Sequence, residues 1–176
     1  LLVGQKTTAG VAAAGLLVDL PRTKAEIDTL FGADSMLAMI ARAFRSVNKY
    51  TKVDAIVLAD NGSTKATSKI VSAGTATEAK SVYLDVVSAT DLSMKIDIVI
   101  GETPATFTAK LLAAVATFAS KPFTAAKSTT TATDDTLTFT AANAGTHANG
   151  WLIRLVDAYG NPVNVAGLTL TLTGWS

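Results

Sequence analysis

The chain has 176 residues, 49% hydrophobic and 16% charged, with a formal net charge of +1 and no cysteine. That is ample apolar material for a core, and the near-neutral balance excludes a strong pull toward nucleic acid, anionic lipid or an acidic partner. Without cysteine, disulfides, thiolate nucleophiles and cysteine metal sites are excluded as well.

No uninterrupted apolar run approaches the roughly 20 residues of a membrane helix, so no membrane insertion is expected. Val11 to Val18 has the look of a signal-peptide core, but Asp19, Pro21 and Arg22 stand where small residues are required for cleavage.

Leu1 to Val3 reads as a buried strand end. It runs into Gly4-Gln5-Lys6-Thr7, then Gly10 and Gly15, the vocabulary of a phosphate loop. The spacing does not fit. A P-loop places the lysine after G-x-x-x-x-G, whereas only Gly4 precedes Lys6, and the three glycines miss the G-x-G-x-x-G intervals. A strand followed by a flexible loop is the reading, with no nucleotide or other cofactor expected.

Leu16 to Leu20 reads as a second extended stretch, closed by Pro21. Thr23-Lys24-Ala25-Glu26 is a capping box, Ile27, Leu30 and Phe31 share a helical face, and Gly32 is a natural stop. Asp34 or Ser35 starts another helix, with Leu37, Ile40, Ala41, Phe44 and Val47 on the apolar side and Arg42, Arg45 and Asn48 opposite. Val53 to Ala59 reads as a strand covered on both faces. Residues 1–60 thus predict part of an α/β layer, too short of strands to be complete.

From Asn61-Gly62-Ser63 onward, period-two alternation takes over. Val82, Leu84 and Val86 alternate with Tyr83, Asp85 and Val87. Met94, Ile96, Ile98 and Ile100 alternate with Lys95, Asp97 and Val99. Thr103 and Pro104 open a helix to Ala119, with Phe107, Leu111, Val115 and Phe118 on one side and Pro122 blocking its continuation. Leu137 and Phe139 alternate with Thr136, Thr138 and Thr140. Trp151 to Val156 is a further strand, reached through Asn143 to Gly150. After a turn at Tyr159-Gly160-Asn161-Pro162, Leu168, Leu170 and Leu172 alternate with Thr169, Thr171 and Thr173. The expected fold class is mixed α+β: a partial α/β core of strands and two helices over 1–60, an inserted β-rich domain carrying one helix over 61–157, and a return strand toward the core over 158–176. The unfinished first layer suggests a larger protein cut short, and cleavage between Asp60 and Lys69 is expected to release a β-rich piece that stays folded.

Chemistry-bearing residues do not converge. His147 is the sole histidine, in a glycine-flanked loop, and reads as a surface polar residue. Asp134-Asp135 lacks EF-hand spacing and reads as a hairpin turn. Glu26 is engaged as a cap, while Asp97 and Glu102 have no paired acid at a productive position. Arg42, Arg45, Lys49 and Lys52 make a basic helix edge without aromatic partners, a solvated face or a charge contact to another protein. Trp151 and Trp175 read as core or interface anchors. No catalytic, cofactor-binding or metal residue is nominated, and an enzyme is not expected.

"FGADSMLAMIARAFRSVNKYTKVDAIVLAD", Phe31 to Asp60, resembles the corresponding segment of tail sheath proteins of Mu-like contractile-tailed bacteriophages. "LLVGQKTTAG" is similar to that family's first core strand. Gly74-Thr75-Ala76-Thr77, the helix from Pro104, "LTFTAANAGTHANGWLIRL" and "AGLTLTLTG" follow the order of its inserted β-rich domain. His147-Ala148 departs from the small residues usual there, and nothing matches the family's later core or C-terminal domain. The resemblance implies a structural virion protein located in the tail sheath and assembled in the host cytoplasm. It implies a homo-oligomer of hexameric rings stacked helically around a tail tube protein, capped by baseplate and tail terminator proteins. Contraction then drives the tube through the host envelope, with no nucleotide consumed and no direct nucleic acid contact. Extended arms that add strands to neighbouring sheets would lie outside this segment. The alternative from another class is a β-rich adhesion or binding module of a virion or cell surface.

Overall fold

The computed structural model is mixed α+β, with three α-helices and ten strands in three sheets among the described residues, which are 1–60, 62, 64–88, 91–118, 121–129 and 134–176. Asn61 and Ser63 at the expected domain boundary, and Ala119 at the expected end of the third helix, lie outside them. The chain forms two compact units: Leu1–Lys65 with Ser120–Phe123 and Ala141–Gly145, and Ala66–Ala119 with Thr124–Thr140 and Thr146–Ser176.

The first unit holds β1 (Leu2–Gln5), β2 (Leu17–Asp19), α1 (Lys24–Phe31), α2 (Met36–Val47) and β3 (Asp54–Leu58). The sheet runs β1-β3-β2, with β3 parallel to β1 and antiparallel to β2. Thr23 and Glu26 form the capping box: Thr23 Oγ1 accepts the Glu26 N–H at 3.3 Å, and Glu26 Oε2 accepts the Thr23 N–H at 3.3 Å. Gly32 ends α1 at φ +85°. Ser35 Oγ accepts the Ala38 N–H at 3.0 Å and opens α2. Ile27, Phe31, Leu37, Ala38, Ala41, Ala55 and Val57 form the core, with Leu2 and Val18 packed against it.

Two expectations are corrected here. The buried side of α2 is Leu37, Ala38, Ala41 and Arg45, while Ile40 and Val47 are exposed. Small side chains let the helix lie close to the sheet: a Cβ on Gly4 would sit 3.2 Å from Leu37 Cα. This is the role of the first glycine. The second correction is that β3 is covered on one face only. Val3 and Leu17 both stand opposite Ile56 on the other face, and Val3 (49%), Leu17 (61%) and Leu58 (43%) are exposed there.

The second unit holds β4 (Thr67–Gly74), β5 (Lys80–Val87), β6 (Leu92–Ile98), α3 (Pro104–Ala116) and β7 (Phe123–Thr129), whose first residue belongs to unit one. It continues with β8 (Asp134–Ala141), whose last residue does likewise, then β9 (Leu152–Val156) and β10 (Leu168–Thr173). One sheet runs β10-β4-β8-β7, the other β6-β5-β9. Strict alternation buries Val82, Leu84 and Val86 of β5 against Leu92, Met94, Ile96 and Ile98 of β6. α3 is capped by Thr103 with Pro104 in its first turn, and it packs on β4 and β6 through Phe107, Leu111 and Val115.

β10, expected to return toward the first layer, pairs instead with β4, Leu170 opposite Ser72 and Leu172 opposite Ile70. Its alternation supplies one buried and one wet face, which fits a β-sheet neighbour. Conversely, 141–145 belongs to unit one: Ala142 donates to Pro122 O at 2.8 Å and Gly145 to Thr64 O at 3.3 Å. Asp134 and Asp135 start β8 rather than forming a turn, and Asp135 is buried.

Candidate functional site

Within Thr7–Gly15, five backbone N–H groups are engaged by carbonyls. The backbone N–H groups of Thr7, Gly10, Val11, Ala12 and Gly15 donate to the carbonyls of Phe31, Thr7, Thr29, Leu30 and Val57 at 2.8–3.2 Å. Lys6 Nζ donates to Gly10 O at 2.8 Å. A Cβ on Gly10 would land on the Phe31 carbonyl. The loop expected to be flexible is therefore laced to α1 and β3.

The basic helix edge is dispersed into separate tasks. Arg45 is 6% exposed. Its Nε donates to Pro21 O at 2.9 Å, Nη2 to Leu20 O at 2.7 Å, and Nη1 to Thr51 O at 2.8 Å and Asn48 O at 3.3 Å. A guanidinium with four of its five N–H donors on carbonyls is a structural clamp, not an anion receptor. Arg42 pairs with Asp28, which also holds Lys24. Lys52 lies 3.3 Å from Asp19, whose carboxyl is held below its ordinary value by its contact with the Asp54 side chain and then by Lys52. Lys49 is exposed. Only part of the expected basic face is solvated.

The acids are also engaged, though Glu102 Oε1 and Asp135 Oδ1 are buried with no hydrogen-bond partner among the described residues. Glu102 is buried, accepting the Val99 N–H at 3.0 Å and Lys110 Nζ at 2.5 Å. Lys127 Nζ bridges Asp135 Oδ2 at 2.8 Å and Ala105 O at 2.9 Å. Asp97 is exposed, and its carboxyl is lowered by Lys95 first and Ser81 second. Glu26 is lowered by its hydrogen bonds from Thr23.

His147 is half-buried rather than a surface residue: its ring meets Trp151 edge-on at 5.4 Å. Trp151 meets Trp175 at 5.2 Å and 81°, and Trp175 lies 6.5 Å from Phe139, so the tryptophans anchor a ring cluster within the second unit.

Among the described residues no group of three or more His, Asp or Glu could hold a metal ion, and no helix is long and apolar enough to cross a membrane. An open groove runs along α1, lined by Val11, Pro21, Ala25 and Leu30, with Arg22 and the capping Glu26 at its edge. Thr23 and Thr29 line it as well, their hydroxyls donating to Glu26 Oε2 at 2.8 Å and to the Ala25 carbonyl at 2.9 Å. No protein-family model matches the chain, and no curated protein matches it.

What remains as a candidate site is a surface, the uncovered face of β1-β3-β2. One buried side chain that the residue pattern does not reveal supports that layer from behind. Asn143, 1% exposed, accepts the Met36 N–H at 2.9 Å and donates to Lys6 O at 3.0 Å and Asp60 Oδ1 at 3.3 Å. Asp60 Oδ1 also accepts the Ala144 N–H at 2.8 Å. These bonds tie the end of β1, the start of α2 and the exit of β3 to one amide.

Proposed function

We propose that this chain is part of a contractile tail sheath subunit, a structural protein that polymerises as stacked six-membered rings around a tail tube and contracts to drive the tube through an envelope. The observation that carries this reading is the sheet face bearing Val3, Leu17, Ile56 and Leu58. A sheet with parallel pairing normally has both faces covered, and a contiguous apolar face on the outside marks a contact surface. The order of the Phe31–Asp60 and later segments, which resembles that of tail sheath proteins, supports the reading.

The chemistry supports a mechanical role. Contraction of such an assembly draws on two packings of the same subunits, separated by free energy stored at assembly. The opening loop, with five of its backbone N–H groups bonded to carbonyls, lends no support to a fuelled machine. Low net charge permits close lateral contact of copies without self-repulsion. The partners in this reading are further copies of the subunit, a tail tube protein, and baseplate and terminator proteins, all within a virion tail.

Negative-stain microscopy of the full-length protein tests it. Tubes or six-fold rings are expected. Monodisperse monomers that bind a glycan would overturn the sheath reading in favour of a β-rich adhesion module.

A further inference from the structure

A sheet edge presents a row of unpaired N–H and C=O groups, which proteins guard with charge, proline, brevity or cover. Among the described residues of the second unit, the sheet edges differ in this respect. β6 carries Lys95 and Asp97 among its exposed positions. β9 is covered by the chain that follows it: Val163 donates to Leu155 O at 3.2 Å, Asp157 to Asn161 O at 2.9 Å, and Val156 bridges Pro162. β7 carries Lys127, held by Asp135. β10 reads Leu-Thr-Leu-Thr-Leu-Thr, without charge, proline or glycine; Leu168 at its start bridges Val165, and from Thr169 onward its strand partner is β4 alone. Thr169, Thr171 and Thr173 are exposed. On the other face Leu170 and Leu172 stay half-buried, although their partners Ser72 and Ile70 in the sheet interior are at 0% and 1% exposure.

We propose that β10 is a self-association edge: two copies of the chain join antiparallel through Thr169–Thr173 and merge two four-stranded sheets into one. The strict alternation makes the strand complementary to itself. With the two-fold axis at Leu170, Leu170 meets Leu170 and Thr169 meets Thr171. With the axis at Thr171, Thr171 meets Thr171 and Leu170 meets Leu172. Either way leucine lies against leucine on the inner face and threonine against threonine on the outer one, as cross-strand pairing favours. A slip of two residues keeps every side chain on its proper face. A second copy supplies this pattern by construction, and no charge on either strand opposes the approach. The contact is isologous, goes beyond the ring-and-tube reading and does not depend on it.

Sedimentation equilibrium and amide hydrogen exchange over a concentration series test the proposal on the purified chain. A reversible dimer is expected, with β10 amides gaining protection as concentration rises and β6 amides unchanged. Thr171→Lys, which brings two ammonium groups together across the axis, weakens the dimer about tenfold or more at low salt while thermal unfolding stays close to the parent's. An equimolar mixture of T171K and T171E restores the parent affinity. A monomer at every concentration, with β10 exchange independent of concentration, overturns the proposal and leaves the edge to an extended segment of another protein. So does a dimer that T171K leaves intact, or a T171K/T171E mixture that fails to reassociate. Particle images of the parent judge the sheath reading separately: a T171K-sensitive dimer that builds no rings keeps this proposal and removes that one, and rings from a chain whose dimer ignores T171K do the reverse.

Discussion

The two units arrange their polar side chains in different ways. In the second, exposed and half-buried groups pair with cross-strand neighbours: Ser81 bonds Asp97, Ser93 bonds Asp85, and Arg154 reaches Asp85 from the other side, while buried Ser72 reaches Thr108 and the Asp135 carbonyl. In the first, two side chains reach far along the chain. Arg45 gathers carbonyls from Leu20, Pro21, Asn48 and Thr51, and Asn143 links Lys6, Met36 and Asp60. The contrast teaches that alternating strands solve hydrogen bonding as they form, because neighbours in register face each other. A small helix-and-sheet layer leaves its loop ends unsatisfied until a distant group arrives. Unit one should therefore fail by single side-chain deletions that unit two would absorb.

The largest expected break comes from Arg45→Met. It keeps the stem but leaves four carbonyls, two before α1 and two after α2, without their donor, at a cost of about 3 kcal/mol. Amide exchange in α1, α2 and β3 should quicken accordingly, while β5 and β6 keep the parent rates. Equal acceleration in β5 and β6 would erase the distinction between the two units.

Asn143→Ala follows, at about 2 kcal/mol, because it orphans the Met36 N–H and the Lys6 carbonyl in a buried setting. Asn143→Asp sharpens the test. It keeps an acceptor for Met36 but replaces the donor facing Asp60 with a second carboxylate, so at neutral pH it should be at least as damaging as alanine. Urea midpoints of the three proteins decide the order. If N143D matches the parent, the amide network is not what holds the return segment.

These residues also mark where local pattern stops being informative. The caps at Thr23, Ser35 and Thr103 were legible because each works within three residues of itself. The alternation of β5, β6 and β10 was legible because one face is apolar. β4 hid because its buried face is Ser68, Ile70 and Ser72, so polarity does not alternate with burial. β7 hid behind alanine, threonine and serine for the same reason. Arg45 lay at a helical position consistent with Leu37 and Ala41, but its charge argued for the outside. Asn143 gave no signal at all, since its partners are 83, 107 and 137 residues away. The bare face of β3 was equally hidden: a run such as Asp54-Ala55-Ile56-Val57-Leu58 reads the same whether one face or two is buried.

The smallest effect compares the units by acid. Each contains a carboxylate, exposed at Glu26 and half-buried at Asp157, that organises a helix start or a chain reversal. In unit one Glu26 is lowered by its hydrogen bonds from Thr23. In unit two Asp157 is lowered chiefly by the Asn161 N–H, then by the Asn161 side chain and the Tyr159 N–H, the last at 2.8 Å. A carboxyl whose folded pKa lies below its unfolded one stabilises fully above the unfolded value, and that contribution is lost as pH falls through the folded value. Acidification from neutral to about pH 3 should therefore loosen both sites. Glu26→Gln should remove the acid response of the α1 amides alone, and Asp157→Asn that of the turn after β9 alone. Amide exchange at Ile27 and Asn161 reads the two independently. If either variant abolishes both responses, or if acid protects these amides, the two carboxylates do not act as separate local caps and the contrast between the units does not extend to their surfaces.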